Sequence, residues 1–160
     1  MAKVIILGGS NSGDREFFLD SSLTRITAQI GSLDVQSALY ETEPWGFESR
    51  QHFLNRIWVI ETLLPPLEVL SELLSIEREL GRVRSGNGYS SRVIDLDILY
   101  YDQQIIQQAG LEIPHPRISE RNFVLLPLNE ILPDFVHPVL KLSNHDLLLR
   151  SADPGIVRKY

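Results

Sequence analysis

Val93-Ile94-Asp95-Leu96-Asp97-Ile98-Leu99-Tyr100-Tyr101 is an apolar strand sequence broken only by two acids. A strand alternates faces with period two, so Asp95 and Asp97 point one way while Ile94, Leu96 and Ile98 point the other. Two like charges ~6–7 Å apart repel by roughly 2–3 kcal/mol at an effective dielectric near 20. A strand that keeps both is expected to hold a cation. Immediately upstream, Arg82-Val83-Arg84-Ser85-Gly86-Asn87-Gly88-Tyr89-Ser90-Ser91-Arg92 places arginines around glycines. Guanidinium groups bind phosphate bidentately, so carboxylates for a metal beside arginines for phosphate read as a nucleotide-handling site. With oxygen ligands alone the ion would be Mg²⁺ or Mn²⁺ rather than zinc. The competing reading is a solvated strand edge with an ordinary exposed loop before it.

Outward from this strand, the pattern sets an order of elements. Lys3–Leu7 reads as a short strand running into a glycine-rich loop, Gly8–Gly13. That loop has neither the Lys-Ser/Thr ending of a Walker A motif nor dinucleotide-fingerprint spacing. Leu19, Leu23, Ile26 and Ile30 recur at helical spacing, with Asp14 as cap and Gly31 as stop. Val35–Thr42 reads as a second strand and Glu43 to His52 as a loop long enough for function. Phe53–Thr62 is a third strand. Pro65-Pro66 opens a second helix with a stripe of Leu67, Leu70, Leu74, Glu77 and Leu80, stopped by Gly81. Val93–Tyr101 is the fourth strand and closes the order β-α-β-β-α-β. That order predicts an α+β, ferredoxin-like fold, a four-stranded antiparallel sheet with two helices on one face. Beyond Asp102, prolines at 114, 116, 127, 133 and 138 predict a less regular C-terminal extension. One helix is expected near Glu120–Ile131, interrupted by Pro127.

Composition narrows the function classes. At 160 residues the chain is expected to be a single domain, 1–160. A net charge of -6 argues against a nucleic-acid binder. No run approaches the ~20 apolar residues of a membrane span. No leader is expected, the sequence has no cysteine, and the cytoplasm is the default expectation. Nothing demands an oligomer, so a monomer is expected. Among single residues, Phe53 and Phe123 read on their own as core. Asn55 is odder, since an amide inside a strand needs partners if buried. His115 lies between two prolines in what should be a rigid loop.

Taken together, Gly9-Ser10-Asn11, Tyr40-Glu41-Thr42-Glu43-Pro44-Trp45-Gly46, Phe53-Leu54-Asn55, Gly81-Arg82-Val83-Arg84, Arg92-x-x-Asp95-Leu96-Asp97-Ile98-Leu99, Pro114-His115-Pro116 and Arg121-x-Phe123-Val124-Leu125-x-Pro127-Leu128 form an ordered set. They resemble the 6-hydroxymethyl-7,8-dihydropterin pyrophosphokinase family, from about Gly9 to Pro138. The resemblance implies the same ferredoxin-like fold. It also implies transfer of pyrophosphate from ATP to the pterin hydroxymethyl group, releasing AMP, on the route to folate. By the same resemblance, Asp95 and Asp97 hold two Mg²⁺ ions, and Phe53 and Phe123 sandwich the pterin ring. Asn55 with backbone groups of Thr42, Glu43 and Trp45 would read the pterin edge. Arg82 and Arg92 would stabilise the transferring group, while Glu77, Arg84, Ile98, His115 and Arg121 would bind ATP. Either Asp97 accepts the hydroxyl proton or a metal lowers that hydroxyl's pKa.

Ser85, Gly88, Tyr89, Ser90, Gly110 and Glu112 depart from common family choices at nucleotide-side positions. Two other classes compete with this reading. A ferredoxin-like metabolite sensor would bind without Mg²⁺, and leaves the shared face of Asp95 and Asp97 unexplained. A phosphatase reading of Asp95-Leu96-Asp97 lacks the Thr or Val that such chemistry wants shortly after the second acid.

Overall fold

The computed structural model describes residues 1–43, 52–81 and 93–160. Among them, six strands form one sheet: β1 (Ala2–Ser10), β2 (Gly31–Gln36), β3 (Tyr40–Thr42), β4 (Phe53–Thr62), β5 (Asp95–Tyr101) and a last strand near the C-terminus (Val157–Lys159). The spatial order is β5-β1-β4-β3 and then the C-terminal strand, with β2 also on β4, and every pairing is antiparallel. Helices α1 (Arg15–Gln29) and α2 (Pro66–Glu79) fall between β1 and β2 and between β4 and β5, which is the expected βαββαβ order with its second strand split into β2 and β3.

The pleat sorts the sheet's residues into two cores. Val4, Ile6, Trp58, Ile60, Leu96 and Ile98 pack with Leu19 and Ile26 of α1 and with Val69, Leu73 and Ile76 of α2. Ile5, Leu7, Ile57 and Val59 face the opposite way. They meet a second helical layer, α3 (Asn122–Ile131) and α4 (Asn144–Arg150), through Val124, Leu125, Leu128 and Leu147. The sheet is thus covered on both faces, where the pattern predicted helices on one.

Several boundaries differ from the sequence expectations for identifiable reasons. Gly8, Gly9 and Ser10 continue β1 and pair with Arg56, Asn55 and Leu54, so the expected glycine loop starts only at Asn11. Gly8 is there because the Trp58 indole lies against it; a Cβ would sit 2.4 Å from Trp58 Cη2. The expected strand Val35–Thr42 is two strands, and the first begins at Gly31. Between them the Ser37 hydroxyl accepts from the Ile57 amide at 3.0 Å while the Ser37 amide donates back to the Ile57 carbonyl at 2.9 Å. In α2 the buried stripe is Val69, Leu73, Ile76 and Glu77, with Leu67 exposed. Heading for the sheet, α2 is rotated about one residue from the leucine pattern.

The C-terminal part is more regular than the prolines suggested. A hairpin of β6 (Ile106–Gln108) and β7 (Leu111–Ile113) precedes α3, and α4 follows it. The C-terminal strand, β8, adds to β3. Pro127 lies inside α3 without ending it. No helix among the described residues is long and apolar enough to cross a membrane.

Candidate active site

The alternation predicted for the two acids holds, and the sheet register gives it neighbours. Leu96 and Ile98 are buried against α1 and α2, so Asp95 and Asp97, both half-buried, face the α3 side. Gly9 pairs with Asp95 on one side and with Asn55 on the other, and Asn55 pairs in turn with Tyr40. Asp95, Gly9 and Asn55 therefore form one row across three strands, spanning roughly 10 Å. Gly9 leaves the middle of that row without a side chain. A Cβ there would lie 3.1 Å from Asn55 Oδ1. Thr42 pairs with Phe53 one step along the same face.

Phe53 and Phe123 occupy this side of the sheet, both half-buried. Phe53 shares the Asn55 face by the pleat, and Phe123, in the first turn of α3, packs against the core beneath. Arg121, the residue before α3, holds its guanidinium 5.5 Å from the Phe123 ring centroid. Asn55 is 3 % exposed. Thr42 Oγ1 is buried and has no hydrogen-bond partner among the described residues. Burying such a group unpaired costs ~1–3 kcal/mol, so it marks a place where a polar ligand atom is expected.

The paired carboxylates are positioned from behind. Glu77 of α2 is 3 % exposed, and its Oε2 accepts the Leu96 amide at 2.9 Å, midway between Asp95 and Asp97. Just beyond, β5 has a bulge. Ile98 pairs with Ile6 and Tyr100 with Ile5, leaving Leu99 as the extra residue. The Leu99 carbonyl accepts the His115 amide at 2.9 Å, which brings the segment between Pro114 and Pro116 to the strand. Burial together with the Arg121 and Arg117 cations holds the His115 imidazole below its ordinary value. Glu112 and Asp95 pull it the other way. The ring also lines a cavity of about 220 Å³ shared with Glu112, Ile113, Ser119 and His137. Phe53, Asn55, Asp95, Asp97 and Phe123 do not line it, so it lies beside the row.

The structure thus brings Thr42, Phe53, Asn55, Asp95, Asp97 and Phe123 to one face of the sheet, with His115 and Arg121 at its margin. Glu77 and Ile98 stand on the other face, behind β5. Glu43 lies at the end of β3, where its amide donates to the Ile156 carbonyl at 3.1 Å. Trp45, Arg82, Arg84 and Arg92 lie outside the described residues. Gly9 was missed as a site residue. Its signal was the Gly-Gly step after an apolar run, which reads equally well as a loop.

A divalent ion fits the donor set. Among the described residues no group of three or more His, Cys, Asp or Glu side chains gathers to hold a metal. Two carboxylates alone suit Mg²⁺, which keeps water and substrate phosphate in its remaining positions.

Comparison with known proteins bears on the family and the fold. Residues 4–133 match the model of the family described as 7,8-dihydro-6-hydroxymethylpterin-pyrophosphokinase (HPPK). The chain is 43% identical over 147 residues to the 2-amino-4-hydroxy-6-hydroxymethyldihydropteridine pyrophosphokinase of Porphyromonas gingivalis, covering 90% of this chain and 99% of that protein. It is 42% identical over 140 residues to the folic acid synthesis protein fol1 of Pneumocystis carinii, covering 88% of this chain and 19% of that longer one. In fold, it is similar to the crystal structure of Plasmodium falciparum HPPK-DHPS, with a TM-score of 0.76 and 17% identity over 94% of this chain and 43% of that one. On the family match and the extent of the Porphyromonas gingivalis similarity, the chain belongs to the 7,8-dihydro-6-hydroxymethylpterin-pyrophosphokinase family.

Proposed function

We propose that this pyrophosphokinase of folate biosynthesis takes ATP and 6-hydroxymethyl-7,8-dihydropterin on the α3 face of its sheet, with Asp95 and Asp97 as the metal-holding carboxylates. The observation that carries the reading is the row Asp95-Gly9-Asn55. It has a buried amide at one end and Asp95, the first of the two carboxylates, at the other, across a side-chain-free stretch about as long as a pterin with its hydroxymethyl arm. Asn55 and the unpartnered Thr42 hydroxyl, with backbone groups of Thr42 and Glu43 and with Trp45, read the donor–acceptor edge of the ring. Phe53 and Phe123 cover its faces by offset stacking.

In the reaction the pterin hydroxyl oxygen attacks the β-phosphorus of ATP. The bond from that phosphorus to the oxygen bridging to the α-phosphoryl group breaks, and AMP departs with that oxygen. The hydroxyl proton passes to Asp97 or to solvent. Two Mg²⁺ ions, held by Asp95 and Asp97, would supply neutralisation of the phosphate charge. Arg82 and Arg92 stabilise the transferring group; Arg84, His115 and Arg121 bind the nucleotide, and Ile98, its side chain buried behind β5, can serve it only through its backbone. Glu77 serves that end indirectly, since its bond to the Leu96 amide fixes the spacing of the acids. The same reading takes residues 1–160 as one domain, working as a monomer in the cytoplasm without nucleic acid or membrane.

The test is AMP release from ATP in the presence of the pterin, with and without Mg²⁺. AMP that needs both supports the reading, whereas AMP formed without pterin, or pterin binding with no AMP at all, overturns it. Asp95→Ala and Asp97→Ala should each lower turnover by about 100-fold or more while the circular dichroism spectrum is unchanged. Full activity in either variant removes that carboxylate from the site.

A further inference from the structure

On the reverse face of the sheet, behind Thr42 and Phe53, the first residue of α1 makes an unusual set of contacts. Arg15 Nη1 donates to Glu41 Oε2 at 2.7 Å and to the His52 carbonyl at 2.7 Å. Glu41 Oε1 lies 3.8 Å from His52 Nδ1. The Arg15 guanidinium also stands 5.6 Å from the ring centroid of Tyr160. Glu41 precedes Thr42 in β3, and His52 precedes Phe53 in β4. One guanidinium therefore ties the two strands together just where their ladder ends, at the Thr42–Phe53 pair.

Two physical points argue that this is more than a surface ion pair. A cation in the first turn of a helix faces the positive end of the dipole, a placement that costs stability unless something else uses the charge. The Arg15 side chain is only 14% exposed, so its bonds to a carboxylate and a carbonyl are charge-assisted and poorly screened. Side chains on opposite faces of a strand share its backbone. Fixing Glu41 and the His52 carbonyl from behind therefore fixes where Thr42 and Phe53 stand in front.

We propose that Arg15 is a positioning residue for pterin recognition: its clasp on Glu41 and His52 sets the Thr42–Phe53 end of the site without touching substrate. The inference rests on the pterin reading of that face. It assigns Arg15 no part in nucleotide binding, because Asp95, Asp97 and His115 lie at the other side of the sheet, two strands away.

The experiment compares wild type, Arg15→Met and Arg15→Lys in two titrations, one with 6-hydroxymethyl-7,8-dihydropterin and one with a non-hydrolysable ATP analogue, and then in steady-state AMP release. Arg15→Met should raise the pterin KM roughly tenfold while kcat at saturating pterin and the analogue Kd stay within about twofold. Arg15→Lys keeps one charged donor and should fall between. A loss of kcat with both affinities intact would signal a merely smaller folded fraction and overturn the proposal. So would an unchanged pterin KM, or a parallel weakening of pterin and nucleotide. If Arg15→Met does not fold, Glu41→Ala opens the same clasp from its other side and carries the same expectation. Wild type that binds no pterin defeats the site reading itself; wild type that binds it, with Arg15→Met equal to it, defeats only the clasp.

Discussion

Asn55 and Gly9 show how much of the site turns on single residues. An amide that is 3 % exposed in an apolar strand is costly unless a partner arrives, and Gly9 keeps the space beside it open. Replacing Asn55 by Leu should weaken pterin binding about 10- to 100-fold, since ligand polar atoms would then be buried unpaired. Isothermal titration with the pterin checks this, and unaltered affinity would take Asn55 out of the edge-reading role. Period-two alternation was enough to show the carboxylates from sequence, and an amide within the strand pattern Phe53-Leu54-Asn55-Arg56-Ile57 was enough to mark Asn55. Arg15 was invisible to the same reasoning. Its partners lie 26 and 37 residues away, and no local pattern announces a contact that only the assembled sheet creates.

At the scale of elements, strands rich in bulky apolar residues were legible and those governed by a side chain were not. Phe53–Thr62 was read with its observed bounds because aromatic and branched aliphatic residues dominate it, even with Asn55, Arg56 and Glu61 among them. The break between β2 and β3 was not, because the Ser37 hydroxyl takes over a backbone role there and hydropathy carries no trace of it. Gly8 misled in the opposite sense. Glycine suggests a turn, yet here it makes room for an indole inside a strand. Gly8→Ala would force its Cβ into Trp58 and should cost about 1–3 kcal/mol. Thermal unfolding followed by circular dichroism should then show Tm lower by roughly 3–10 °C. An unchanged Tm would mean that Trp58 can move aside. The bulge at Leu99 belongs to the same class of feature. It changes the phase of β5 just past the acids and supplies the carbonyl that holds His115, and neither effect can be read from composition.

For the whole molecule, the C-terminal part was underestimated because prolines were read as breakers. Proline disrupts a helix only where a missing amide matters, and α3 keeps its course through Pro127 on the strength of its buried face. That region also carries the clearest pH dependence. His137 is buried against Tyr100, its Nδ1 accepts the Val139 and Leu140 amides, and burial holds its pKa below the ordinary 6.5. The unfolded chain then binds the proton more readily than the folded one. The associated stability is complete above about pH 6.5 and is lost as pH falls toward the folded value. His137→Gln should be less stable than wild type at pH 7.5 but lose less Tm between pH 7 and pH 5. Parallel losses in the two proteins would show that His137 does not contribute. A further consequence follows from the bond between Glu77 and the Leu96 amide. Because β5 is the terminal strand of the sheet, an outward amide on it is a template onto which a foreign strand can add. A buried carboxylate seated on that amide denies the site to intruders. The protein can keep its acidic strand at the sheet margin, open to a charged ligand, without inviting edge-to-edge aggregation.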